Sequence, residues 1–214
     1  MSKHLPDLVL SGVNSALKPE GFKLVKSKKW FLRQTNGRTE KFQLVMLNDR
    51  PGYRVCPSVG VRFEAVEQAF HRTSTFEPEF QRDTDTVAVD LWRIHGKNGY
   101  QLPVHHDSDV PAVVDRIVAI FRNDAEPYYS QFGDLKAVDV AINGHPLEKC
   151  VHRVMPSLRC STGAIVAKLT GREDYTALVA SYREQLQQDA NGFYLPPFEA
   201  LIADLATMKV GESK

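Results

Sequence analysis

Apolar residues recur along this chain with two different periods. Leu5, Leu8, Val9, Val13, Ala16 and Leu17 fall at helical spacing and predict a helix over residues 5–18. Pro6 suits its first turn, and Pro19-Glu20-Gly21 stops it. The pattern then shortens. Residues 22–26 alternate imperfectly, residues 30–34 and 41–47 read as strands, and Asn36-Gly37 lies between the last two. Asn-Gly is a strong hairpin signal, because a type I′ turn needs positive φ at both central positions. Asp49-Arg50-Pro51-Gly52 makes a second turn, and residues 53–61 read as a further strand, with Pro57 at a bulge or edge. Together these segments predict an antiparallel meander.

Residues 63–72 read as a short helix with Val66, Ala69 and Phe70 on one side, and residues 73–82 as a loop. Strand character returns at 86–92. Gly96-Lys97-Asn98-Gly99 then makes a turn, and residues 100–104 complete another hairpin. The clearest helix opens at Ser108-Asp109, either of which can cap it, with Pro111 in its first turn. Val110, Val113, Val114, Ile117, Val118 and Phe121 form its apolar stripe. Glu126-Pro127 marks a break or kink, and residues 128–142 are helical in part.

Beyond Asn143-Gly144-His145-Pro146 the pattern is helical throughout. Residues 158–169 form one helix; Tyr175, Leu178, Val179, Tyr182 and Leu186 mark a second; Pro196-Pro197 opens a third. Helices segregated from an antiparallel sheet predict an α+β fold, a meander packed with helices and followed by an all-helical C-terminal tail. The expected division is an α+β domain over 1–143, a helical extension over 144–210 packed on it, and a frayed tail over 211–214.

The chain has 214 residues, 43% hydrophobic and 25% charged, which suits a globular protein with a sizeable core. Cys56, Cys150 and Cys160 are too few to form a disulfide framework. No stretch reaches the about 20 apolar residues that span a bilayer, and the first residues lack a signal-peptide core. A cytoplasmic protein without membrane association is therefore expected. The formal net charge of +1 favours no partner, but its distribution is uneven. Lys23, Lys26, Lys28, Lys29, Arg33, Arg38 and Lys41 cluster against Glu40 alone. Over residues 64–90 the balance reverses: Glu64, Glu67, Glu77, Glu79, Asp83, Asp85 and Asp90 face Arg72 and Arg82. Such polarity can steer a charged partner.

No phosphate loop, dinucleotide fingerprint or nucleophile elbow occurs, and no cofactor is expected. Cys56 has no histidine near it in sequence to activate it. The densest polar cluster is His105-His106-Asp107-Ser108-Asp109. Imidazoles and carboxylates can bind a divalent ion or exchange protons near neutral pH. Adjacent strand residues point to opposite faces, however, and Asp109 has a ready role as a helix cap. Cys150, His152, Cys160 and His145 carry zinc-type ligands at a spacing that matches no common zinc pattern, so no metal is assigned. Asp83-Thr84-Asp85 resembles the short acidic motif of some metal-dependent transferases, with a solvated loop as the simpler reading. The basic hairpin, with Trp30, Phe31 and Phe42, offers phosphate contacts and stacking to single-stranded nucleic acid. Strand alternation instead places several of these aromatics in the core.

The run Leu17-Lys18-Pro19-Glu20-Gly21-Phe22-Lys23, then Trp30-Phe31-Leu32-Arg33 and Phe42-Gln43-Leu44-Val45, resembles a group of uncharacterised bacterial domains. In these a first helix ends in a Gly-Phe-Lys step and enters an antiparallel sheet. Residues 53–60 resemble their next strand, and the likeness covers about two-thirds of the chain. Residues 163–186 resemble helix-pair appendages of similar proteins. The resemblance carries no catalytic residues, and small bacterial proteins of this architecture include immunity and partner-binding proteins. The leading expectation is a protein-binding module, in its narrower form a toxin-neutralising immunity protein, with binding through the basic residues 23–41. The alternatives are a metal-assisted hydrolase using His105, His106, Asp107 and Asp90, and a single-stranded nucleic-acid binder.

Overall fold

A computed structural model describes residues 4–35, 37–94 and 100–208. Along the chain run α1 (His4–Leu17), β1 (Lys23–Val25), β2 (Trp30–Thr35), β3 (Arg38–Asp49), β4 (Gly52–Phe63), α2 (Glu64–His71), α3 (Pro78–Gln81), β5 (Val87–Asp90), α4 (Leu91–Ile94) and β6 (Leu102–Val104). There follow α5 (Val110–Ile120), α6 (Glu126–Gln131), α7 (Leu135–Asn143), α8 (Pro156–Leu169), α9 (Tyr175–Gln188) and α10 (Leu195–Thr207). The fold is α+β, with one six-stranded antiparallel sheet. Strands β1 to β5 lie in meander order, and β6 pairs with β4. None of the described helices is long and apolar enough to cross a membrane.

The chain forms two compact units, 1–61 with 88–131 and 62–87 with 132–214. In the first, α1 buries Leu5, Val9, Leu10, Val13 and Leu17. Gly21 at φ 87° closes this helix as the Phe22 N–H returns to the Leu17 carbonyl at 3.2 Å. The β2–β3 register pairs Thr35 with Arg38, and Gly37 before Arg38 takes φ 78°. Asn36 itself lies outside the described residues. Phe31 faces Phe42 across this pair, both fully buried. Phe42 and Phe22 each meet the edge of Phe121, at 5.4 and 5.2 Å. An aromatic core therefore joins the meander to the helix beyond α5.

That helix bears the mark of Pro127. A π-helical stretch over residues 121–125 separates α5 from α6, and the Glu126 N–H bonds the Phe121 carbonyl five residues back. The widened turn accommodates a proline that has no N–H to offer and continues the helix where a break or kink is expected.

Several local expectations change. The strand expected to run to residue 92 ends at Asp90, and α4 begins at Leu91. The loop expected over 73–82 contains α3, opened by Pro78. Residues 102–104 do not form a hairpin with the preceding strand. They pair with β4 through Tyr53–Val104 and Val55–Leu102. Pro103, which has no N–H, is tolerated because among the described strands β6 pairs with β4 alone. The expected turn at 96–99 and tail at 211–214 lie outside the described residues.

The second unit is built on α8. Its Cys160, Thr162, Gly163, Ala164, Ile165, Val166 and Ala167 are buried, so the helix is enclosed on nearly every side. It packs against α2, α7, α9 and α10. The Asp134 carboxylate caps α7 by accepting from the Ala137 N–H at 2.9 Å. The Arg159 guanidinium donates to the carbonyls of Ile142, His145 and Glu148. The expected boundary at 143–146 thus lies inside this unit, held to α8 by one buried arginine.

Candidate functional site

The residues singled out around 105–109 remain separate in function. Asp109 Oδ2 accepts from the backbone N–H groups of His105 and His106, each at 2.9 Å. Those two bonds hold its carboxyl below the usual range. The His105 and His106 rings stand perpendicular with centroids 6.5 Å apart. His105 Nε2 lies 3.8 Å from Asp49, Asp107 lies 3.3 Å from His4, and Asp90 pairs with Arg93 at 3.2 Å. Among the described residues no three His, Cys, Asp or Glu side chains converge as a metal site. The soft ligands are likewise dispersed. The Cys150 thiol faces the Ala141 carbonyl, Cys160 faces Gln185, His152 packs on Phe132 and His145 meets Glu148. Burial pushes the Cys160 thiol up to about 12 and raises Cys56, so neither is an activated thiolate.

The basic residues of the hairpin divide. Arg33 and Arg38 both donate to Glu40, which is 1% exposed, at 2.6 and 2.7 Å. Arg33 also reaches Glu126 at 3.0 Å and lies over the Phe22 ring. Lys41 is buried with its ammonium 4.2 Å from the Trp30 ring centre, and Lys28 lies at 4.8 Å from the same ring. Lys26 pairs with Asp7 at 3.1 Å, Lys23 is exposed, and half-buried Lys29 takes a left-handed conformation at φ 56°. Much of this charge is committed within the first unit.

The second unit holds a different constellation, seeded by α2. Glu67 and His71 stand four residues apart and share a helical face. The helix closes as the N–H groups of Thr73 and Ser74 both reach the Phe70 carbonyl, which sets the Ser74 hydroxyl 2.8 Å from His71 Nδ1. Thr84 and Thr86 approach Glu67 from the other side. Thr86 donates to Glu67 Oε1 at 2.8 Å and accepts from the Phe63 N–H. The Thr84 hydroxyl lies 2.5 Å from Glu67 Oε2, accepts from Arg62 at 2.9 Å, and lies 2.9 Å from His71 Nε2.

The Thr84 contacts favour one form of the imidazole. Thr84 has one hydroxyl proton, for which the Glu67 carboxylate at 2.5 Å and the Gln81 carbonyl at 2.9 Å compete. With that proton on either oxygen, His71 Nε2 carries its own proton and donates to Thr84 at 2.9 Å. In the neutral ring Nδ1 is then a lone pair facing Ser74. Burial is the largest influence on His71 and lowers its pKa, an effect that Arg62 reinforces and Glu67 opposes. The ring is flanked by Phe70 and Phe76, at 5.0 and 5.7 Å. Arg153 donates to the Asp85 carbonyl at 2.7 Å, while its buried Nε has no hydrogen-bond partner among the described residues.

Ser74 opens onto a cavity of about 370 Å³. Phe70, Phe76, Leu158, Phe198 and Leu201 wall it. Its other lining residues include Met155 and Phe193, which are 52% and 73% exposed. In the sequence Glu67 belongs to the acidic stretch of residues 64–90, and Asp83-Thr84-Asp85 stands out for its two carboxylates. The structure buries Glu67 and uses the threonine. The legible signal was the spacing Glu67-x-x-x-His71-x-x-Ser74, one helical face leading into a cap.

In class, this is an α+β protein with an apolar pocket beside a buried polar relay. Comparison with protein-family models, curated proteins and solved structures gave no match.

Proposed function

We propose that this chain is a protein-binding module whose second unit seats large apolar side chains of a partner segment in the pocket walled by α2, α8 and α10. The carrying observation is the pocket itself, apolar within and continued outward by Phe76, Met155 and Phe193, all exposed. Exposed aromatics around a concave apolar site supply the anchors on which protein interfaces depend. Charge adds a preference. Glu77 and Glu79 stand one and three residues after Phe76 and are exposed, which favours a segment with basic residues beside its apolar anchors. A toxin-neutralising immunity protein is the narrower proposal within this class, and it rests on architecture alone.

The test is selection from a displayed random-peptide library, repeated with Ser157→Trp, which fills the pocket. Peptides with adjoining aromatic or leucine anchors and flanking Lys or Arg should be enriched. The pocket-filled variant, checked for native circular dichroism, should lose them. No enrichment, or equal capture by Ser157→Trp, would reject the pocket as the docking site.

A further inference from the structure

We propose that Ser74 is a nucleophile for acyl transfer, with His71 as its general base and an ester of an apolar acyl group, held in the adjoining pocket, as its substrate. This goes beyond the binding reading: it shares the pocket but requires no protein partner.

Three features carry it. Ser74 and His71 Nδ1 are 2.8 Å apart, within the reach that activation of a serine requires. The far side of the ring is oriented, since Nε2–H donates to Thr84, whose hydroxyl lies 2.5 Å from the Glu67 carboxylate. Glu67 Oε2 itself is 3.8 Å from Nε2, so the carboxylate acts on the ring chiefly through the threonine. The third feature is access. The imidazole side chain is 6% exposed, whereas Ser74 is half-buried and lines the cavity. The base is screened from water while its serine faces an apolar chamber of about 370 Å³, room for a short acyl chain.

The chemistry balances with water as the sole co-reactant. Ser74 Oγ attacks the ester carbonyl carbon, and its proton passes to His71 Nδ1. The C–O bond to the leaving alcohol breaks, and the alkoxide takes that proton. Water then attacks the acyl-serine carbonyl, giving up a proton to Nδ1. The acyl–Oγ bond breaks, the carboxylic acid leaves, and the proton returns to Ser74. His71 and Ser74 are the catalytic residues; Thr84 and Glu67 are positioning residues that hold Nε2–H and aim the ring. The charged groups facing His71 are Glu67 and Glu64 of its own helix and Arg62 at the end of β4.

The probe is a hexyl fluorophosphonate, applied to the full chain and located by peptide mass mapping. One equivalent should attach to Ser74 and none to heat-denatured protein. Ser74→Ala should abolish labelling and keep peptide capture, so this proposal and the binding reading fail separately. His71→Gln should slow labelling by about a hundredfold or more. Thr84→Ser should retain the rate and Thr84→Val should lose it, a rescue that depends on the hydroxyl rather than on packing. For the wild type the labelling rate should rise with pH as His71 loses its proton. Absence of labelling, labelling elsewhere, or a Ser74 rate unchanged in a folded His71→Gln variant each overturns the assignment.

Discussion

Thr84 Oγ1 lies 2.5 Å from Glu67 Oε2, and through this contact a loop residue is tied to a carboxylate only 1% exposed. Glu67 also accepts from Thr86, and Arg62 stands 3.9 Å away. A buried carboxylate with several donors is costly to remove, because each donor is left without its partner. Glu67→Ala should therefore destabilise the second unit by about 3 kcal/mol. Glu67→Gln should cost less, since the amide keeps one acceptor oxygen. Amide hydrogen exchange in α2 and α8 would measure the loss in this unit directly. Trp30 and Trp92 both lie in the first unit, so their fluorescence should change little.

Acid should weaken the same unit before it weakens the carboxylate pairs. Burial lowers the pKa of both His71 and His152 from the ordinary 6.5. The folded state then holds both rings neutral at pH values where the unfolded chain takes up protons. More protons on the unfolded state means that stability rises with pH. This contribution is fully present above about pH 6.5 and declines as pH falls through the lowered folded values. Glu64, held below its ordinary 4.5 chiefly by its Arg62 hydrogen bond, loses its contribution only at lower pH. Exchange protection in α8 should thus fall between pH 7 and 5. The decline should flatten in a His71→Gln, His152→Gln double variant; an unchanged slope would assign the sensitivity elsewhere.

Gly163 is predicted to be irreplaceable for a steric reason that its helix does not reveal. A Cβ there would stand 2.4 Å from Asn143 Oδ1 and 2.5 Å from the Tyr182 hydroxyl. Those two atoms are hydrogen-bonded to each other, and Asn143 also donates to the Gly163 carbonyl at 3.0 Å. Gly163→Ala should cost about 1–3 kcal/mol by overpacking. Tyr182→Phe should cost about 1 kcal/mol by losing one hydrogen bond. Combined, the two should cost less than their sum, since the phenylalanine removes one of the clashing atoms. Urea midpoints of the four proteins in this cycle would check the non-additivity.

Local pattern made the meander, the first helix and the C-terminal helices legible, because periodicity and caps are encoded within a few residues of each other. Asn36-Gly37 marked its hairpin, and the Thr35–Arg38 register agrees with it. What local pattern does not encode is a partner far along the chain. Residues 102–104 carried strand character but no sign that β4, rather than the strand just before them, would pair with them. Residues 143–146 read as a boundary because Gly and Pro interrupt the helix, yet Arg159 binds the carbonyls of Ile142 before that interruption and Glu148 after it. Likewise, the spacing of Glu67, His71 and Ser74 was visible, whereas Thr84 was not. Its role depends on a loop returning to α2, and in sequence it stood between two more conspicuous aspartates.

The basic hairpin residues should separate into those that hold the first unit together and those that leave its stability unchanged. Arg33 meets Glu40 at 2.6 Å and Glu126 at 3.0 Å while its guanidinium covers the Phe22 ring at 4.6 Å. Removing it leaves the buried Glu40 with Arg38 alone and uncovers an aromatic face. Arg33→Ser should therefore lower the stability of this unit by about 2–3 kcal/mol, a loss of packing as well as of charge. Arg33→Lys should recover only part of it, because an ammonium cannot engage two carboxylates through a planar fork. Lys23→Ser, at an exposed strand position, should change stability by less than about 0.5 kcal/mol. Denaturation followed through Trp30 fluorescence would rank these variants. Equal, small effects for Arg33→Ser and Lys23→Ser would show that Arg33 is available to a binding partner after all. The predicted ranking would mean that any association through this segment must be tested with Lys23 and its exposed neighbours, since loss of binding in Arg33→Ser would report a weakened fold.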